Sequence, residues 1–504
     1  MHFDPRFLHS LGIEKWHFVD HHEAHALSAF HSSPFRSALI LSYDSAGNDG
    51  HFNVYVGSFD KVERIAQLDY SLGHAYEQLA TLLPEVTGLP LEEFFVCDME
   101  NLNVSDKLIA SKVLYFEKYP FASLSWAGKL MGYAAVAAPR EDLRDSVRFF
   151  IEASNAWIGV ETYAKKYPPA LVKAACESVE SQRELAATIQ SEFEVFVHAR
   201  VDALLQHIGH QQVEGIVLTG GCALNVLANQ RIYDAFTKIT LGEMAPGPLG
   251  FYVPPIPNDS GLSLGALWSV APPRVRQPLQ YLGFPLWDQE LVIRHARQRG
   301  AQRLSRLGGI EYLAELLAGG DVWRRQRNHS ADKPIVAVVR GRQEFGPRAL
   351  GHRSLLAVPD GDMKERMNRL KARQWYRPVA PMIAEEALNQ VFGRDVRSPF
   401  MTMAPSVKPE IQKSFPSLVH LDGTARHQSV SRFDEPWIHA LLLAVGRQTG
   451  LAALINTSFN TKGKPIVNTV KESLRMLDEL PDLDFLVVED WLFRKRRYSE
   501  KAAD

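Results

Sequence analysis

Pro334-Ile-Val-Ala-Val-Val339 runs through Arg340 into Gly341-Arg-Gln-Glu-Phe-Gly-Pro-Arg-Ala-Leu-Gly-His-Arg-Ser354. The first segment is short, β-branched and uninterrupted, which reads as a strand buried on both faces. The second places Arg342, Arg348 and Arg353 among three glycines and a proline. Glycine lets backbone N–H groups approach a ligand closely, and arginine offers a planar donor fork for phosphate or carboxylate oxygens. A lone Arg pair in such a turn would read as a solvated surface. This density of Gly and Arg after a buried strand instead predicts an oxyanion site, with phosphate as the expected anion.

The remaining composition excludes several classes. The chain has 504 residues, 46% apolar and 23% charged, with a net charge of −2. It is long enough for several domains, and its charge balance points to neither a nucleic-acid nor a membrane partner. Cys97, Cys176 and Cys222 are too few and too scattered for a disulfide framework, so a reducing cytoplasm is the expected compartment. The most apolar stretch, Trp437 to Ile455, is broken by His439, Arg447 and Gln448. It is too interrupted to span a bilayer.

The first block extends to about residue 272. His17-Phe-Val-Asp20 reads as a short strand, followed by a helix beginning His21-His-Glu-Ala-His25. On a helix His21 and His25 are i and i+4, so both imidazoles face one way and can share a cation, while His22 points elsewhere. The spacing His22-Glu-Ala-His25 is one residue too short for the His-Glu-x-x-His pattern of zinc hydrolases. Strands at Ser37–Tyr43 and His51–Gly57 flank Asp44-Ser-Ala-Gly-Asn-Asp-Gly50, which reads either as a phosphate–metal turn or as an Asx hairpin without a ligand. Ser71 is a candidate cap for a helix over 71–90. Gly128-Lys-Leu-Met-Gly132 reads as a tight helix-entry loop, and residues 183–210 as a long amphipathic helix.

A strand at Gly215–Leu218 then feeds Thr219-Gly-Gly-Cys-Ala-Leu-Asn225. Strand, glycine pair and helix N-terminus form a favourable phosphate or adenosine site. Cys222 there has no paired base and reads as packing. Asp259 stands near the start of an Ala/Leu helix, where capping is its plain role. Ala271-Pro-Pro-Arg-Val-Arg-Gln-Pro278 reads as a joint, giving domains 1–272 and 278–504. Beyond it, Lys371-Ala-Arg-Gln-Trp-Tyr-Arg-Pro-Val-Ala-Pro381, Asp422-Gly-Thr-Ala-Arg426 and Asn456-Thr-Ser-Phe-Asn460 add further polar loops around one expected anion.

Six of these motifs, in this order and spread over nearly the whole chain, resemble the O-carbamoyltransferase family of nodulation and antibiotic biosynthesis. They are His21–His25, Thr219–Asn225, Gly341–Ser354, Arg377–Pro381, Asp422–Arg426 and Asn456–Asn460. The resemblance implies an actin-like ATPase domain of the threonylcarbamoyl-transfer kind, followed by an α/β domain that forms carbamoyl-adenylate. It implies ATP and carbamoyl phosphate as co-substrates, with transfer to a hydroxyl of a sugar or natural product. It also implies Mg2+ and a second divalent metal, typically Fe2+, and leaves a homodimer open.

Carried over by position, the resemblance makes His21, His25, Asp44 and Asp259 the metal ligands. Gly220, Gly221 and Asn225 would contact nucleotide. Lys371, Arg377 and Arg426 would act on carbamoyl phosphate, with Arg342, Arg348, Arg353, Asn456 and Asn460 as companions. The family's usual Gly-His-Asp strand ahead of the histidine pair has no counterpart here. The resemblance therefore implies an N-terminally incomplete actin-like half, and admits a second reading: a transfer-deficient paralogue that binds nucleotide or a partner chain.

Overall fold

A computed structural model describes residues 9–59, 61–91, 125–154, 167–209, 212–237, 249–276, 278–326 and 332–496. Cys97 lies outside them. The first part opens with α1 (His21–Ser32), β1 (Ser37–Gly47), β2 (Gly50–Ser58) and β3 (Lys61–Leu68). Then come α2 (Leu72–Ala80), α3 (Trp126–Tyr133), α4 (Val179–Ile208), β4 (Gly215–Thr219), α5 (Val226–Phe236), β5 (Gly250–Tyr252) and α6 (Leu262–Val270). The five strands form one mixed sheet, in the order β3-β2-β1-β4-β5. β1, β2 and β3 are successive antiparallel neighbours, whereas β4 joins β1, and β5 joins β4, in parallel.

The alternation in β1 decides which helices cover which face. Leu39, Leu41 and Tyr43 join the large core with α2 and α4, while Ala38 and Ile40 face Ala26, Ala29 and Phe30 of α1. Period-two side chains on a sheet covered on both faces require this continuous apolar run. Gly220, at the end of β4, has φ +87°, and a Cβ there would lie 2.2 Å from the Tyr43 carbonyl oxygen. Only glycine lets β4 turn so close to β1.

The second part holds β6 (Gln302–Arg303), α7 (Ile310–Leu317), β7 (Val336–Val339), β8 (Arg353–Ala357), α8 (Met363–Leu370), β9 (Ala380–Ala384) and β10 (Gln428–Val430). It closes with α9 (Pro436–Thr449), β11 (Ala453–Ser458), α10 (Val470–Glu479), β12 (Phe485–Val488) and β13 (Trp491–Arg494). Its eight strands form a second mixed sheet, in the order β10-β9-β11-β8-β7-β12-β13-β6. Ala337 and Val339 enter one core and Val336 and Val338 the other, so β7 is buried on both faces as its composition predicts. The glycine–arginine stretch is the long connection between β7 and β8, which pair antiparallel; its last two residues already belong to β8.

Several local expectations change. His17–Asp20 forms no strand and is largely exposed. Gly128–Gly132 lies inside α3 rather than in a loop before it. Ser71 makes no side-chain cap bond; its hydroxyl donates to the Ser45 carbonyl at 2.8 Å. The expected long helix is present as α4, and Ser178 caps it by accepting from the Ser181 N–H. No described helix is long and apolar enough to cross a membrane.

Candidate functional site

Two polar constellations stand out, one on each sheet. The first is built at the N-terminus of α1. The His21 N–H donates to Asn48 Oδ1 at 2.9 Å and the His22 N–H to Asp49 Oδ1 at 3.0 Å. The β1–β2 turn thus supplies acceptors that a helix N-terminus lacks, and fixes α1 against the sheet. His21 and His25 then project one turn apart, with ring centroids 4.7 Å apart. His22 turns away into hydrogen bonds with Ser42 Oγ at 2.8 Å and the Gly50 carbonyl at 3.2 Å.

Opposite the pair stand Asp44 in β1 and Asp259 at the entry to α6. Asp44 Oδ2 lies 3.5 Å from His25 Nε2 and 3.9 Å from His21 Nε2. Asp259 Oδ1 lies 3.6 Å from His25 Nε2 and 3.9 Å from His21 Nε2. The Gly221 N–H donates to Asp44 Oδ2 at 2.7 Å and holds that carboxylate in place. Asp259 opens the short turn before α6, whose cap position is held by Asn258, and Gly261 holds the cap position of α6 itself, so neither position is that of Asp259.

These atoms converge around one point, with all four within 4.8 Å of one another. Nε2 of His21 and both ring nitrogens of His25 are buried without a hydrogen-bond partner. The His–Asp separations of 3.5–3.9 Å are those of donors sharing a cation at roughly 2.0–2.2 Å from each. Two imidazoles and two carboxylates are donors that suit a divalent first-row metal. Burial alone would lower His25, but Asp259 and Asp44 raise its pKa. Burial likewise opposes ionisation of Asp44, and the His21, His25 and Gly221 contacts overcome it, holding the carboxyl far below the usual range.

The second constellation is a cavity of about 80 Å³ where the β7–β8 connection meets the loop after α8. Arg348, Arg373, Arg377, Arg426 and Asn456 line it. Among the described residues no carboxylate pairs with any of the four guanidiniums, and Nε of Arg348 and of Arg426 is buried without a partner. Burial, and then Arg377, push Arg348 down to about 10; burial, and then Arg377 and Arg348, push Arg373 down to about 9. Both remain charged at neutral pH. Like charges held together without counter-charge are costly in the empty protein, and that cost is what a bound anion removes.

Lys371 stands beside them. Its Nζ donates to the Ser458 carbonyl at 2.7 Å, to Asn460 Oδ1 at 2.5 Å and to the Asn460 carbonyl. Three acceptors satisfy an ammonium fully. Yet burial, with Arg373 and Arg377 adding to it, pushes the lysine down to about 6. The two pulls oppose each other, and an arriving anion tips the balance to the charged form.

The other expected positions divide. Asn456 lines the cavity; its Nδ2 donates to the Ala349 carbonyl at 2.8 Å and its Oδ1 has no partner. Asn460 reaches the cavity only through Lys371 and Ser458, whose hydroxyl donates to Asn460 Oδ1 at 2.7 Å. Arg342 is exposed and donates to the Leu282 carbonyl at 3.0 Å. Arg353 is fully buried, and its guanidinium faces the carbonyls of Arg340, Gly341 and His352. The anion contact expected of Arg353 is replaced by backbone acceptors, because its side chain turns inward under the connection.

At the glycine pair, the Gly220 N–H donates to the Pro257 carbonyl at 2.7 Å, and the Gly221 N–H is taken by Asp44. Asn225 caps α5 through the Ala228 N–H at 3.1 Å and exchanges hydrogen bonds with Gln190. These groups are thus engaged within the fold. Cys222 beside them has its thiol pushed well up by burial, in keeping with packing. The sequence reading missed Arg373, although it stands two residues from Lys371. It also missed Gly128 and Met131 of α3, which line the cavity and carry no sequence signal for it.

Comparison with known proteins finds matches to both parts of the chain. The family described as "Carbamoyltransferase N-terminus" matches residues 8–268, and "Carbamoyltransferase C-terminus" matches residues 328–495. The chain is 30% identical over 508 residues to the Nodulation protein NolNO of Sinorhizobium fredii, covering 96% of this chain and 64% of that protein. It is 29% identical to the Nodulation protein NolO of Bradyrhizobium diazoefficiens, covering 95% of this chain and 79% of that one. It is also 29% identical to the 3'-hydroxymethylcephem-O-carbamoyltransferase of Amycolatopsis lactamdurans, covering 74% of this chain and 65% of that one.

Proposed function

Because the chain belongs to the carbamoyltransferase family, we propose that it takes part in ATP-dependent O-carbamoyl transfer, from carbamoyl phosphate to a hydroxyl of a sugar or natural product. The name of one relative, a 3'-hydroxymethylcephem-O-carbamoyltransferase, supplies a hydroxyl-bearing natural product as one acceptor class. The single observation that carries this reading is the pocket in which Arg348, Arg373, Arg377 and Arg426 meet without an acid. That pocket suits a phosphate-bearing substrate.

In this reading the chain divides at the proline-rich joint into 1–272, an actin-like transfer domain, and 278–504, an adenylate-forming domain. The arginines and Lys371 hold the phosphate of carbamoyl phosphate while water bonds its phosphorus, the P–O bond to the carbamoyl group breaks, and carbamate leaves with the bonding pair, giving inorganic phosphate and a released proton. The freed carbamate oxygen bonds the α-phosphorus of ATP, as its Mg2+ complex, and pyrophosphate departs. In the transfer step the acceptor oxygen bonds the carbamoyl carbon, AMP leaves with the bonding pair, and the hydroxyl proton is released. His21, His25, Asp44 and Asp259 would hold the second divalent ion, typically Fe2+, which polarises the carbamoyl carbonyl when bound. The Gly220–Gly221 turn, which carries Asn225 at the next helix, is the proposed nucleotide contact on the first sheet.

Purified protein given ATP and carbamoyl phosphate should form AMP and pyrophosphate only when both are present. Arg426→Ala should abolish adenylate formation, whereas His25→Ala should spare it and block transfer. Absence of both products in the unmodified protein would sink the activity, and equal loss in both variants would sink the division of labour.

A further inference from the structure

Carbamoyl phosphate accepts hydrogen bonds at its oxygens and donates them from its amino group. Guanidinium and ammonium groups only donate. The four arginines and Lys371 therefore suit the phosphate and the carbonyl, but none of them can hold the NH2. That group needs an acceptor inside the pocket, because a buried donor left unpaired is costly.

Asn456 supplies one. It is 2% exposed and lines the cavity. It stands in β11, facing Leu356 of β8 on one side and Ala380 of β9 on the other. Pairing along both edges holds the position more rigidly than a loop would. Its Nδ2 donates to the Ala349 carbonyl at 2.8 Å. A carbonyl can only accept, so this contact fixes which end of the amide is which. Oδ1 is left over, buried and without a partner. Among the described residues lining the cavity, it is the one buried side-chain acceptor in that state, since the other orphaned atoms there, Nε of Arg348 and of Arg426, are donors. The neighbouring Ser458 is already engaged, its hydroxyl with Asn460 Oδ1 and its carbonyl with Lys371. Ala349 directly follows Arg348, so the acceptor is anchored beside a guanidinium.

We propose that Asn456 is the specificity-determining residue of this pocket, its Oδ1 accepting an N–H of the carbamoyl amino group. The inference rests on the carbamoyl phosphate reading of the pocket. It deepens that reading by restricting the substrate class to phosphates that carry an amide, as against acyl phosphates with a methyl or a carboxylate oxygen in its place. A methyl leaves Oδ1 unpaired, and a carboxylate oxygen meets it lone pair to lone pair. Once the P–O bond has broken, the same contact holds carbamate by its nitrogen and leaves its oxygens free for the α-phosphorus.

The test uses the full chain in calorimetry with inorganic phosphate, phosphonoacetamide and acetonylphosphonate. The two phosphonates share one shape and differ in NH2 against CH3. Phosphonoacetamide should bind about tenfold or more tighter than acetonylphosphonate. Asn456→Leu should bring the two within about twofold of each other while phosphate still binds. The ratio is taken within each protein, so a general change in the pocket cancels. Asn456→Ala, which lets water reach the Ala349 carbonyl, is the second variant, and thermal unfolding checks the fold of both. Equal affinity of the unmodified protein for the two phosphonates, or an unchanged ratio in the variants, would overturn the inference with the pocket reading intact. Failure of the unmodified protein to bind any of the three probes would overturn both.

Discussion

Glu344 Oε1 accepts the backbone N–H of Arg353 at 3.1 Å, and the same oxygen takes the N–H groups of Leu350 and His352 at 2.7 and 2.8 Å. The Arg353 guanidinium completes the arrangement from the other side, through the carbonyls of Arg340, Gly341 and His352. A carboxylate gathers the donors of the β7–β8 connection and a guanidinium gathers its acceptors. Gly346, at φ +131° and with room for no Cβ beside the Pro255 carbonyl, presses the same connection onto the first part of the chain. Arg348 is aimed into the cavity by this scaffold.

The first expectation concerns stability. Arg353→Ala leaves several buried carbonyls without donors, each worth about 1–3 kcal/mol. It should destabilise the protein by about 3–5 kcal/mol in urea unfolding. Arg342→Ala, at an exposed side chain, should change stability by under about 0.5 kcal/mol. Equal effects at the two positions would remove the structural assignment of Arg353.

The second concerns the cost of the empty pocket. Arg373→Met deletes one of four mutually repelling charges, so the ligand-free protein should be as stable as the unmodified one or more so. Phosphate affinity should nevertheless fall by about tenfold or more. Melting temperatures recorded with and without phosphate give both readings from one sample. A variant less stable without phosphate, yet binding it normally, would contradict the electrostatic account.

Proton linkage at Lys371 gives a third. Its pKa is lowered to about 6 in the empty pocket, and a bound dianion raises it. Between the free and bound values, binding therefore takes up a proton, and affinity falls as pH rises. Sulfate is the suitable probe, because it does not itself titrate there. Its affinity should drop from pH 6 upward by no more than about tenfold per unit. Calorimetry in buffers of different ionisation enthalpy should show the proton uptake, and Lys371→Met should abolish the slope.

Metal content gives a fourth. The unmodified chain should hold one divalent ion that survives desalting. His25→Ala or Asp44→Asn should reduce occupancy by about tenfold or more, while His22→Asn should not. Elemental analysis of the unmodified chain and the three variants decides it. Phosphate binding at the arginine pocket should be the same in all of them, because the two constellations stand on different sheets.

The sequence by itself determined a good deal. The apolar runs at 334–339 and 37–43 marked both central strands, since a short apolar run of this kind reads as a strand covered on both faces. Helical periodicity placed His21 and His25 together and turned His22 away, and the ordered motifs identified the family. Tertiary structure decided which charges meet. Arg348 and Arg353 stand five residues apart on one connection, yet one lines the cavity and the other is spent on carbonyls. Arg373 joins the pocket from another loop, and α3 closes it from the first part of the chain. His17–Asp20 has strand-like residues but forms no strand. Local periodicity fixes the direction of a side chain relative to its own backbone. Whether that direction ends at a carbonyl, a like charge or an open cavity depends on segments hundreds of residues away, and on the balance of desolvation and pairing set only once they pack.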